Sequence, residues 1–137
     1  MNYWLVKTEP ETYSWQRFVE EGRAVWDGVR NYQARNNLKK MKSGDMVLFY
    51  HSDVGKEVVG VARVSKESYP DPTAKDPGWV AVDLEPVSPL KNPIRLQAIK
   101  KDHRLKGMIL VRNSRLSVMP VSSREFDLIL RISELEE

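Results

Sequence analysis

The chain has 137 residues, 41% of them hydrophobic and 30% charged, with a formal net charge of +3 and no cysteine. That length predicts one domain spanning residues 1–137, and the apolar fraction is too high for a disordered chain. The missing cysteines exclude a disulfide framework, a thiolate nucleophile and cysteine-ligated zinc. No run reaches the about 18 apolar residues of a membrane span, and the opening MNYWLVK lacks a signal-peptide pattern, so a monomeric cytoplasmic protein without membrane contact is expected.

Residues 3–7, YWLVK, read as a strand of aromatic and β-branched residues ended by Glu9-Pro10. Ser14 is placed to cap a short helix carrying Trp15, Phe18 and Val19 inward, with Gly22 as its stop. Ala24-Val25-Trp26 is a second apolar run, turned by Asp27-Gly28. Residues 31–41 have helical spacing, with Ala34, Leu38 and Met41 on one stripe and Arg35, Lys39 and Lys42 on a neighbouring face. A turn at 42–45 leads into the apolar strand Met46 to Tyr50. Residues 51–57 form a hairpin loop, and VVGVARV, 58–64, returns as the partner strand.

The three-proline loop YPDPTAKDPG reads as a rigid connector to the half-buried strand Trp79 to Leu84. Pro86, Pro89 and Pro93 are expected to stop the sheet, with Pro93 opening a helix that turns Ile94, Ala98 and Ile99 inward. Leu116 to Met119 is the last expected strand, closed by Pro120. Ser122 and Glu125 have capping-box spacing before a final helix with Phe126, Ile129 and Leu130 inward. Five to six short strands joined mostly by turns, with a few short helices, predict an α+β fold around a mostly antiparallel β-barrel rather than a doubly wound parallel sheet.

Charge is unevenly placed. Residues 91–115 carry eight basic side chains against Asp102 alone, a surplus suited to a polyanion such as nucleic acid or equally to a solvated charged surface. His51-Ser52-Asp53 has the residue types of a hydrolytic triad, but consecutive side chains cannot converge on one reacting atom. Two histidines, irregular acidic residues and isolated glycines predict no metal, no cofactor and no nucleotide phosphate loop. Four tryptophans and five tyrosines lie mostly beside polar or basic residues, a composition that suits a flat, heteroatom-rich ligand such as a nucleobase. Trp4, Trp15 and Trp79 are read as core. Trp26, at a strand end before Asp-Gly, can line a cleft as readily as fill the core.

The motifs YWLVKTEP (3–10), YSW (13–15), VWDGVRNYQARNNL (25–38), GDMVLFYHS (44–52), VVGVARV (58–64), YPDPTA (69–74) and SRLSVMPV (114–121) run in order along nearly the whole chain. In them the sequence resembles the EVE-domain family. The resemblance implies a PUA-like fold, shared with PUA, ASCH and YTH domains, and a pocket that accepts a modified base, often a modified cytosine, in DNA or RNA. It implies Trp26 as the stacking wall. The Lys7-Thr8-Glu9 corner and the Phe49-Tyr50-His51-Ser52 strand end would be pocket edges, and the turn Arg112-Asn113-Ser114-Arg115 would approach from the opposite side.

On that basis Thr8, Asn31 or Ser52 hydrogen-bonds the base edge, while Lys7, Arg30, Arg35, Arg112 and Arg115 contact phosphates. Glu9, His51 and Ser114 complete the expected pocket. Tyr32, Tyr50, Tyr69 and Trp79 are the candidates for further cage aromatics. The expected function is a non-catalytic nucleic-acid-binding module for a methylated or hydroxymethylated cytosine or a similar base. Two other readings remain: a small-ligand or protein-interaction module, and an enzyme on a modified nucleotide using Asp27, His51 or Glu9.

Overall fold

The computed structural model describes residues 1–135. Its elements are, in chain order, β1 (Tyr3–Thr8), α1 (Trp15–Glu21), β2 (Ala24–Trp26), α2 (Tyr32–Lys40), β3 (Met46–His51), β4 (Glu57–Pro70), β5 (Val80–Arg95), α3 (Leu96–Lys101), α4 (Ile109–Arg112), β6 (Val118–Val121) and α5 (Ser123–Leu135). The six strands form one sheet in the order β2-β5-β4-β3-β1-β6. β1 and β3 run parallel, and every other neighbouring pair is antiparallel. The α+β class and mostly antiparallel sheet match the expectation. The hydrogen-bonded order, however, ends at β2 and β6, so the sheet is open rather than closed into a barrel. Both edge strands are short, and β6 carries Pro120, which keeps such edges from pairing further.

The local signals act as their chemistry requires. The Ser14 side chain accepts from Arg17 N–H at 3.1 Å, and Gly22 ends α1 in a left-handed conformation, φ 75°. The capping box is reciprocal: Ser122 Oγ accepts from Glu125 N–H at 3.1 Å, and Glu125 Oε1 accepts from Ser122 N–H at 3.0 Å. Ala34 and Leu38 are fully buried along the inner stripe of α2, and Met41, the extended residue that ends the helix, is fully buried beside them. Two inward predictions fail. Val19 is 48% exposed and Ala98 is exposed, because α1 and α3 are short helices that bury chiefly Phe18 and Ile99. Leu130 is only half-buried.

β5 departs most from the sequence reading. It continues through Pro86, Pro89 and Pro93 to Arg95, and α3 begins only at Leu96. Proline cannot donate to a ladder, so a central strand excludes it. Here β2 pairs β5 only at Val82, Asp83 and Leu84, leaving everything beyond with β4 as its one neighbouring strand. The β4–β5 register also shifts repeatedly along this stretch, which frees further N–H positions. Helix α5 packs against β5. Ser133, buried on α5, receives Asn92 N–H at 2.9 Å and donates its own hydroxyl to Asn92 O at 2.8 Å.

Candidate functional site

A cavity of about 670 Å³ opens beside β2, a volume within the range of small-molecule sites. Lys7 and Thr8 at the end of β1, Thr12 and Tyr13 before α1, and Glu21 and Arg23 after it form one side. The run Ala24 to Asn31 and Ser117 complete the lining. Three basic side chains (Lys7, Arg23, Arg30) and two acidic ones (Glu21, Asp27) share these walls.

Trp26 is 9% exposed and fixed by rings on two sides. Its indole meets Tyr13 edge-on at 6.1 Å and 75°, and Phe49 edge-on at 5.6 Å and 75°. Phe49 in turn stacks on Phe18 at 5.1 Å, and Trp15 packs edge-on to both. Gly60 on β4 makes room for Trp15, since a Cβ there would lie 2.6 Å from the indole. Edge-to-face contacts of this kind are worth about 0.5–1.5 kcal/mol each beyond buried area, so the cavity wall is rigidly backed.

The turn after Trp26 is held from outside the lining. Asp71, whose side chain is fully buried, accepts from Gly28 N–H at 2.8 Å, Arg30 Nη1 at 2.9 Å and Thr73 Oγ1 at 2.6 Å. It also accepts Thr73 N–H at 2.7 Å, closing an Asx-turn in the proline-rich loop. Burial opposes the charge on Asp71, but the hydrogen bonds from Thr73, Gly28 and Arg30 outweigh it and hold the carboxyl well below its ordinary range. Asp27, by contrast, is pushed up by burial and then by the Asp71 charge. Burial also lowers Lys7, whose ammonium donates to Ser114 O at 2.8 Å and lies 5.9 Å from the Tyr50 ring centre.

The predicted site residues divide into two sets. Trp26, Thr8, Asn31, Lys7 and Arg30 all line the cavity. Part of their bonding capacity is already used. Thr8 Oγ1 donates to Tyr13 O at 2.9 Å, and Asn31 Oδ1 accepts from Ala34 N–H at 2.9 Å as the cap of α2, leaving the Asn31 amide nitrogen outside the cap. Arg30 is tied to Asp71 rather than standing free.

Glu9, Tyr32, Tyr50, His51, Ser52, Ser114, Arg35, Arg112 and Arg115 lie outside the lining. Tyr50 is core, and burial pushes its hydroxyl up to about 12. His51 Nε2 accepts Trp15 N–H at 3.0 Å, which satisfies an orphan donor at the start of α1, and burial lowers its pKa. Ser52 offers its N–H to Thr8 O at 2.9 Å, and Ser114 contributes a carbonyl to Lys7 rather than its hydroxyl. Glu9, Arg112 and Arg115 are exposed. Tyr69 is engaged elsewhere, its hydroxyl bonded to the buried Asp83 carboxylate. Trp79, read as core, is half-buried and stacks on Tyr32.

Sequence reasoning missed Tyr13, Arg23 and Ser117 in the lining and Asp71 behind it. The signal for Asp71 is Asp-Pro-Thr, an Asx-turn sequence within the proline-rich loop 69–78. Tyr13 lay in the YSW motif, with nothing in its spacing to say that its ring meets Trp26.

Comparison with known proteins places these features in a family. Residues 2–132 match the EVE domain. Mouse thymocyte nuclear protein 1 is 38% identical over 169 aligned positions, covering 98% of this chain and 75% of its own length. Human thymocyte nuclear protein 1, solved in complex with DNA containing 5-methylcytosine, superposes with a TM-score of 0.93 at 34% identity, covering 100% of both chains. A YTH domain of Zygosaccharomyces rouxii, solved with N6-methyladenosine RNA, shares the fold at a TM-score of 0.60 and 14% identity, covering 99% of this chain and 88% of that one. From its motifs, its sheet and its match over almost its full length, the chain belongs to the EVE-domain family.

Proposed function

We propose that this chain binds nucleic acid and takes a modified base, methylated cytosine first among them, into the cavity beside Trp26. The observation that carries the reading is the aromatic-backed cavity of about 670 Å³ in a chain that superposes end to end on a human protein solved with 5-methylcytosine DNA. Trp26 stacks on the base, a contact worth roughly 1–3 kcal/mol. Thr8, the Asn31 amide and Asp27 face its hydrogen-bonding edge from the lining, and an acidic oxygen suits the exocyclic amino group of cytosine. Lys7 and Arg23 supply positive charge at the rim. Arg112 and Arg115 are exposed and Arg35 is half-buried, and all three are assigned to flanking phosphates. In a duplex the target base must first be flipped out.

The role is binding rather than turnover. His51, the obvious proton carrier by type, has its Nε2 lone pair occupied by Trp15 N–H and stands outside the cavity lining.

A titration tests the reading directly. Short oligonucleotides carrying one cytosine, 5-methylcytosine, 5-hydroxymethylcytosine or N6-methyladenine are compared at two salt concentrations. The expected result is at least tenfold tighter binding of one modified base, about 1.4 kcal/mol, with that preference lost in Trp26→Ala. Equal affinity for all four oligonucleotides overturns the modified-base assignment.

A further inference from the structure

Outside the cavity, at the start of α2, a second aromatic cluster faces solvent. The Tyr32 and Trp79 rings stack with centres 5.1 Å apart and planes 25° from parallel. The Arg35 guanidinium lies 4.9 Å from the Tyr32 ring centre and 5.6 Å from that of Trp79, and Arg30 lies 5.6 Å from Trp79. Tyr32 is nevertheless 67% exposed. Its own packing accounts for little of its surface, and the inner stripe of α2 is Ala34 and Leu38 instead.

From this stack of Tyr32 on Trp79, flanked by Arg35 and Arg30, we infer a second nucleic-acid subsite that holds an unpaired nucleotide next to the base in the cavity. The inference rests on the proposed function and extends it from one base to a strand. Two features select this occupant. An exposed ring offers a face on which any base can stack, and guanidinium groups beside it favour a ligand that is both aromatic and anionic. Arg35 pairs with no carboxylate among the described residues, so its charge is not neutralised within the protein. Arg30 joins the two places, since it lines the cavity and also lies over Trp79. Its pairing with Asp71 fixes that position. A strand entering the cavity past Arg30 and Asn31 therefore meets Tyr32 as the next residue of the rim.

The experiment compares two ligands of different length. One is the nucleoside 5-methyl-2′-deoxycytidine, which fills the cavity alone. The other is a single-stranded pentanucleotide with 5-methylcytosine at its centre, together with versions in which one flanking nucleotide is replaced by an abasic sugar. Tyr32→Ala is expected to weaken the pentanucleotide about tenfold while leaving nucleoside affinity unchanged, and Tyr32→Phe to bind like the parent. In the parent one abasic replacement should cost the same factor. In Tyr32→Ala that replacement should cost nothing further, the non-additivity of two partners in contact.

Parent-like pentanucleotide binding by Tyr32→Ala overturns the subsite, as does an equal loss for the nucleoside or a flat abasic series. If the coupling holds but cytosine and 5-methylcytosine bind alike, the subsite stands and the modified-base reading falls. If the parent binds no pentanucleotide, both fall.

Discussion

Trp26 and Tyr32 stand six residues apart in one motif, and the fold gives them opposite surroundings. Trp26 ends a strand paired through Val82 to β5 and is walled by Phe49 and Tyr13, with 9% of its surface exposed. Tyr32 opens a helix whose apolar stripe lies elsewhere, and 67% of it reaches solvent beside Trp79. Both are aromatic residues near basic ones, the pattern that marks a base-binding surface in sequence. What separates a pocket wall from an open platform is the number of sides on which neighbours remove water. The wall depends on packing from other elements, whereas the platform needs only one stacked partner.

Matched truncations test this contrast most sharply. Trp26→Ala removes a backed aromatic side chain and should cost about 3–5 kcal/mol of stability in denaturant unfolding. A loss below about 1 kcal/mol would show that the wall is not packed as described. The Asp71 clamp comes next, because it holds the turn linking the two regions. Asp71→Asn weakens several charge-assisted hydrogen bonds and should cost about 2–3 kcal/mol, with weaker base binding as the 27–30 turn loosens.

The same clamp has a pH signature. Its folded-state pKa lies below the ordinary carboxylate value, so its stabilisation is full above about pH 4 and is lost as pH falls through the folded value. Asp71→Asn should flatten the acid arm of a stability–pH profile.

Gly60→Ala acts behind the wall. Its Cβ would meet the Trp15 ring at 2.6 Å, so overpacking of about 1–3 kcal/mol is expected, with a changed near-ultraviolet circular dichroism signal from the aromatic cluster. His51 gives a smaller effect. Its pKa is lowered from 6.5 by burial, and Nε2 must be unprotonated to accept Trp15 N–H. Stability from that bond, about 1 kcal/mol, is therefore full above about pH 6.5 and declines as pH falls through the folded value. Thermal unfolding of the parent and His51→Ala from pH 8 to pH 5 should converge at the acid end. Tyr32→Ala should change stability least, by no more than about 0.5 kcal/mol. An unfolding cost equal to that of Trp26→Ala would erase the distinction between wall and platform.

Much of the architecture was legible from local signals. The caps at Ser14, Gly22 and Ser122 required only the bonding of neighbouring backbone groups, and the run Met46 to Tyr50, which lies within β3, announced itself by apolar β-formers between turns. The prolines of β5 misled because local rules assume a strand with neighbours on both sides. They do not see that β2 ends its pairing at Leu84. The lining of the candidate cavity was legible in part. Trp26, Thr8, Asn31, Lys7 and Arg30 came from the motifs, while Tyr50, His51 and Tyr32 shared those motifs yet serve the core, a helix end and the outer stack.

The family, the class of fold and the turn residues are written in short stretches whose chemistry is local. Which polar groups remain available to a ligand follows instead from contacts between distant parts of the chain. Arg30 is claimed by Asp71 across 41 positions, His51 by Trp15 across 36, and Lys7 by the Ser114 carbonyl across 107. A hydrogen-bonding group is spent or open according to what lies within about 3 Å of it, and such neighbours come from strands and loops far away in the chain.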